Sequence, residues 1–149
     1  MKNLCKYLVL SLFLLTALPA QAGKFVDDDG LALSGYDLVS YFQPGGPLVG
    51  SATHEVVWNE TRFHFSTPEN AALFSQNPEK YMPQYNGYCA FGLAVGNVSP
   101  IDPMAYSIAD DRLFLMINQA TLAMWQKNEP KLIKRADKFW QGLTPKPQN

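Results

Sequence analysis

Cys89 is the only cysteine beyond an N-terminal leader, and that single fact narrows what this chain can become. The leader has the three parts of a secretory signal. Lys2 and Lys6 carry positive charge, residues 7–18 form an apolar run broken by Ser11 and Thr16, and Ala20-Gln21-Ala22 offers small residues for cleavage. The run is shorter than the roughly 20 residues that span a bilayer, and Cys5 precedes the apolar core, where it is not placed for lipid attachment. Residues 1–22 are therefore expected to be removed, and the protein to be exported, periplasmic or secreted. Exported domains commonly rely on paired cysteines. Here one thiol remains, so no intrachain disulfide can form and stability must come from burial. Aromatic residues make up 13% of the chain, enough to supply a core without a covalent staple.

Cleavage after residue 22 leaves 127 of the 149 residues, the size of one domain. The leader holds two of the 12 basic and none of the 13 acidic residues, so the remainder carries a net charge of −3. No basic stripe suits a phosphate backbone, and no nucleic-acid partner is expected. No later apolar segment is long enough for stable membrane insertion. Nothing in the sequence names a protein partner.

Residues 23–30 read as a polar leader. The run Asp27-Asp28-Asp29 lacks the alternating ligands, central glycine and distal glutamate of a calcium loop. Residues 31–141 read as the domain and residues 142–149 as a tail. Asp37 is placed to cap a short helix over residues 38–42. Residues 54–66 alternate as a β-hairpin, with Asn59-Glu60-Thr61 as the connection, Phe63 and Phe65 on one face and His64 on the other. Thr67-Pro68 opens a helix, with Asn70 where a capping-box side chain reaches back, and Asn77-Pro78 opens another. Asn86-Gly87 is a turn signal. Residues 90–96 suit a short helix or a buried strand. Residues 105–117 read as a second hairpin with Asp110-Asp111-Arg112 as its connection. Asn118 caps a helix through Lys127, and Pro130 starts a last helix to Phe139. No internal repeat is visible. The fold class expected is α+β, a small single domain with two β-hairpins and several short helices.

The ordered set Leu31-Ala32-Leu33-Ser34-Gly35-Tyr36-Asp37, Phe63-His64-Phe65-Ser66, Asn77-Pro78-Glu79-Lys80-Tyr81 and Pro83-Gln84-Tyr85-Asn86-Gly87-Tyr88-Cys89-Ala90, followed by Trp125, resembles the YHS-domain family, and within it the exported single-domain bacterial members. The resemblance covers roughly residues 31–140. It implies a small α+β domain and, for the broader family, a metal-binding role. Metal-associated members carry cysteines where this chain has Ser66 and Asn70, and neutral hydroxyl and amide groups are poor ligands for soft metals.

Three functions follow. The first is a non-catalytic binding module, with Cys89, Tyr88 and Tyr85 lining a small-ligand pocket, or Cys89, His54 and His64 holding a soft transition metal such as copper. The second is a structural or accessory interaction protein with Cys89 in its core. The third is a thiol enzyme, which needs His54 or His64 as the base for Cys89. The binding module is the preferred expectation, and catalysis the least favoured.

Overall fold

The computed structural model describes residues 25–143. The signal-peptide reading of residues 1–22 lies outside them, as does the tail from residue 144 onward. The chain forms a small α+β domain with two antiparallel two-stranded sheets. In order come β1 (Ser51–Trp58), β2 (Thr61–Phe65), α1 (Pro68–Gln76), α2 (Pro78–Tyr81), α3 (Ala90–Ala94), β3 (Asp102–Ala109), β4 (Arg112–Met116), α4 (Gln119–Gln126) and α5 (Glu129–Leu143).

Both hairpins close through two-residue turns, not the three-residue connections expected. Trp58 pairs with Thr61 across Asn59-Glu60, and Ala109 pairs with Arg112 across Asp110-Asp111. All four turn residues have positive φ, 47° and 62° in the first and 51° and 56° in the second. That backbone matches the right-handed twist of the strands, and Asn and Asp tolerate it. On β2 the alternation holds: Phe63 and Phe65 are buried and His64 faces the other way.

The helices begin where short polar side chains can receive free N–H groups. Thr67 Oγ1 accepts from Asn70 N at 3.1 Å, and Asn118 Oδ1 accepts from Thr121 N at 2.8 Å. Asn70 does not complete a capping box. Its amide turns inward and donates to Asp37 Oδ2 at 2.7 Å. Residues 90–94 are helical, which settles the helix-or-strand alternative. Asp37 does receive Val39 N and Ser40 N in the turn that follows it, but the helix there is a 3-10 turn over Ser40–Phe42 with Val39 at its N-cap. The last helix runs further than expected, from Glu129 to Leu143.

An internal repeat is present although the sequence did not show it. Adding 51 to each residue of the first hairpin's register gives the second: Ser51↔Phe65 becomes Asp102↔Met116, Glu55↔His64 becomes Tyr106↔Leu115, and Trp58↔Thr61 becomes Ala109↔Arg112. The bulge near the start of β1 recurs in β3. The caps Thr67 and Asn118 correspond, as do the buried rings Phe74 and Trp125. A left-handed trio precedes each unit, Leu33-Ser34-Gly35 in the first and Tyr85-Asn86-Gly87 in the second, here at an offset of 52. Tyr36-Asp37 then matches Tyr88-Cys89.

Each unit has its own core. The first gathers Leu33, Leu38, Phe63, Phe65, Phe74 and Tyr81, and also takes Leu113 and Leu115 from β4. The second gathers Tyr85, Cys89, Leu93, Phe114, Trp125 and Ala136. Phe25 belongs to the first core at 5% exposure, so the polar leader does not reach Gly30 as an unanchored segment. The Phe25 backbone carbonyl accepts from Leu33 N, and its ring lies against Phe63 with centroids 6.3 Å apart. Tyr41 joins the units, donating its phenol to the Pro103 carbonyl at 2.8 Å and meeting Tyr106 edge-on.

Candidate functional site

The segment carrying Cys89 enters α3 from the left-handed trio. Cys89 is the N-cap, with non-helical backbone angles of φ −57° and ψ 114°, and its Sγ accepts from Gly92 N at 3.4 Å. Its own N–H donates to the Ser99 carbonyl at 3.1 Å. The residue is 1% exposed, within the second core. Tyr85 is buried in the same core and donates its phenol to Asp137 Oδ1 at 2.8 Å. Burial first, and the Asp137 carboxylate second, push the Tyr85 phenol well above its usual range, so it stays a neutral donor. Tyr88 is half-buried against this core, its ring 6.2 Å from Trp140. The structure thus brings Cys89, Tyr85 and Tyr88 together, as packing.

The histidines sit elsewhere. His54 is on β1 and His64 on β2, both in the first hairpin. His64 Nε2 lies 3.0 Å from Glu55 Oε2, and the same oxygen accepts from Arg62 Nε at 2.9 Å. Arg62 foremost, then His64, holds the exposed Glu55 carboxyl below its ordinary value. Among the described residues no group of three or more His, Cys, Asp or Glu side chains is arranged to hold a metal ion. Cys89, His54 and His64 are therefore not assembled into one centre.

Ser66 and Asn70, the positions marked by the departure from the metal-associated pattern, converge on Asp37. Asp37 Oδ2 accepts from Ser66 N at 2.9 Å, Ser66 Oγ at 2.6 Å and Asn70 Nδ2 at 2.7 Å. Oδ1 accepts from Val39 N at 2.8 Å and Ser40 N at 3.2 Å. Five donors on one fully buried carboxylate leave it no free lone pair for a ligand. This cluster is a structural bracket tying the residue-37 turn to β2 and α1.

A groove of about 640 Å³ opens one helical turn beyond Cys89. One wall is Leu93, Ala94, Val95 and Gly96, at the end of α3. The other is Arg135, Lys138, Phe139, Gly142 and Leu143, from the last turns of α5. Leu93 and Ala94 are buried, while Val95 is 52% and Leu143 48% exposed, so apolar surface meets solvent at the mouth. None of Cys89, Tyr88 or Tyr85 lines it. The sequence reading missed every residue of this groove. The available signal was Arg135 and Lys138 at i and i+3 on one helix face, in a chain that is otherwise slightly acidic.

No family model, curated protein or solved structure matches this chain. Among the described residues no helix is long and apolar enough to cross a membrane.

Proposed function

We propose that this is an exported, non-catalytic binding module of the YHS type that takes a small ligand beside the helix capped by Cys89. The ordered motifs support the family reading, and the N-terminal leader supports export. The observation that carries the function is the groove between α3 and α5, whose volume falls within the roughly 300–1,000 Å³ typical of small-molecule sites. Cys89 serves as core and cap: a thiol 1% exposed, bonded to a backbone N–H, is a packing group and not a nucleophile. The same burial fits the accessory-protein reading, and the groove is what favours ligand binding over it.

A thermal-shift and NMR screen of small ligands against the mature chain, with Cys89→Ala alongside, tests this. A ligand that raises the melting temperature of both proteins and shifts resonances of Leu93 and Phe139 is the expected result. Rapid reaction of Cys89 with a thiol reagent in the folded protein, or loss of ligand binding in a folded Cys89→Ala variant, would overturn it.

A further inference from the structure

The charges on α5 say what kind of ligand the groove suits. The helix contains two acidic residues, and both are engaged on its inner side. Glu129 Oε1 accepts from Trp125 Nε1 at 2.6 Å and from Ser107 Oγ. Asp137 accepts from Tyr85 and pairs with Arg112 at 2.8 Å. Arg135 and Lys138 take no part in these bonds, and neither has an ion-pair partner among the described residues. Two uncompensated cations thus border an apolar groove.

From this we infer that the groove binds a single-chain amphiphile with an anionic head, its alkyl chain against Leu93, Val95, Phe139 and Leu143 and its head at Arg135 and Lys138. The inference rests on the binding-module reading and adds the ligand class. Other ligands fit less well. A metal ion finds no carboxylate, imidazole or thiolate in the lining, and a cation meets two like charges. A small polar anion would leave the apolar walls uncovered. The C-terminal end of α5 opposes an anion with about half an elementary charge, less than the two full charges facing it. Arg135 also lies two helical turns back from that end.

The experiment is calorimetric titration of the mature chain with octanoate, decanoate and dodecanoate below their micelle concentrations. Dodecyltrimethylammonium, inorganic phosphate and phosphatidylglycerol vesicles run in parallel. Affinity is expected to rise about threefold to fourfold per added methylene. The cationic amphiphile should bind at least tenfold more weakly, and Arg135→Gln with Lys138→Gln should cost dodecanoate about tenfold. These are exposed side chains, and circular dichroism is expected to show the double variant folded. Equal binding of both head groups, an unaffected double variant, or vesicles preferred over monomeric dodecanoate would overturn the inference. A neutral ligand whose binding is lost in Val95→Asp would also overturn it while leaving the binding module standing. A freely reactive Cys89 would remove the module itself.

Discussion

Asp37 and Cys89 occupy the same place in the two units of this domain, and their surroundings are opposite. Each follows a left-handed trio and a tyrosine, and each receives a backbone N–H from three residues on: Ser40 N to Asp37 Oδ1 and Gly92 N to Cys89 Sγ. In the first unit Ser66 and Asn70 supply further donors. Their counterparts in the second are Ile117 and Thr121, neither of which bonds to Cys89, and Cys89 belongs to an apolar core with Ala90, Leu93 and Phe114. One backbone frame therefore carries a buried carboxylate in one half and a buried thiol in the other. The cap position requires only an acceptor; the neighbours decide whether it can be charged.

The largest expected effect tests the polar half. Asp37→Ala removes five hydrogen bonds. Ser40 N keeps the backbone carbonyl of residue 37, and Asn70 Nδ2 keeps its longer contacts to Ser66 Oγ and Gln43 Oε1. Val39 N, Ser66 N and Ser66 Oγ lose their acceptor, in a site where each unsatisfied buried group costs on the order of 1–3 kcal/mol. With partial relaxation the total should be about 3–5 kcal/mol, read as a fall in the urea midpoint. A loss below ~1 kcal/mol would mean that the bracket does not hold the unit together.

Next comes the transplant. Cys89→Asp puts a carboxylate into an apolar core where one backbone N–H, from Gly92, bonds the present side chain and no side-chain donor does, and should cost about 3 kcal/mol. Cys89→Ala should cost only about 1 kcal/mol as a small truncation. If both variants unfold at the same denaturant concentration, the two environments are less different than their donor sets imply.

The paired glycines offer a finer contrast. Gly35 and Gly87 have φ of +80° and +75°. A Cβ at Gly35 would have its nearest neighbours at 3.5 and 3.7 Å, whereas at Gly87 it would lie 2.6 Å from Phe25 Cβ. Gly35→Ala should cost about 1–2 kcal/mol from left-handed strain alone. Gly87→Ala should cost about 2–4 kcal/mol, because Phe25 must also move. Equal melting temperatures would show that Phe25 is seated more loosely than its contacts indicate.

The smallest effect is one of pH. Glu55 is held below its unfolded value of 4.5 by Arg62 and then His64. A depressed carboxyl contributes stability that is complete above the unfolded value and is lost as pH falls through the folded one. The second unit has Tyr106, Leu113 and Leu115 at the matching positions, so this cluster has no counterpart there. Stability measured from pH 6 down to pH 3 should fall slightly less in Glu55→Gln than in the wild type. An identical profile would place this cluster among surface pairs with no measurable weight.

The elements were largely legible in the sequence because their causes are local. Thr67 and Asn118 announce helix starts, the alternation around Phe63 and Phe65 announces a strand, and Asn86-Gly87 announces a turn. The repeat was not legible, because the units share backbone demands more than residues: an Asn or Thr can cap, a Phe or Trp can fill, and an Asp or Cys can accept. Capping by Asp37 was anticipated, but its capture of Ser66 and Asn70 was not. That contact spans 29 to 33 positions, and no spacing rule reaches so far.

By itself the sequence determined that the core of the described residues would form without a covalent staple, around aromatic rings and in an α+β arrangement, since Cys89 is the one cysteine among them and the local signals are strong. Only the tertiary structure decided that this thiol lies inside, that both histidines stand apart from it, and that a cation-bordered groove opens a turn away. Those outcomes depend on which segments meet, and such meetings are governed by packing between elements distant along the chain.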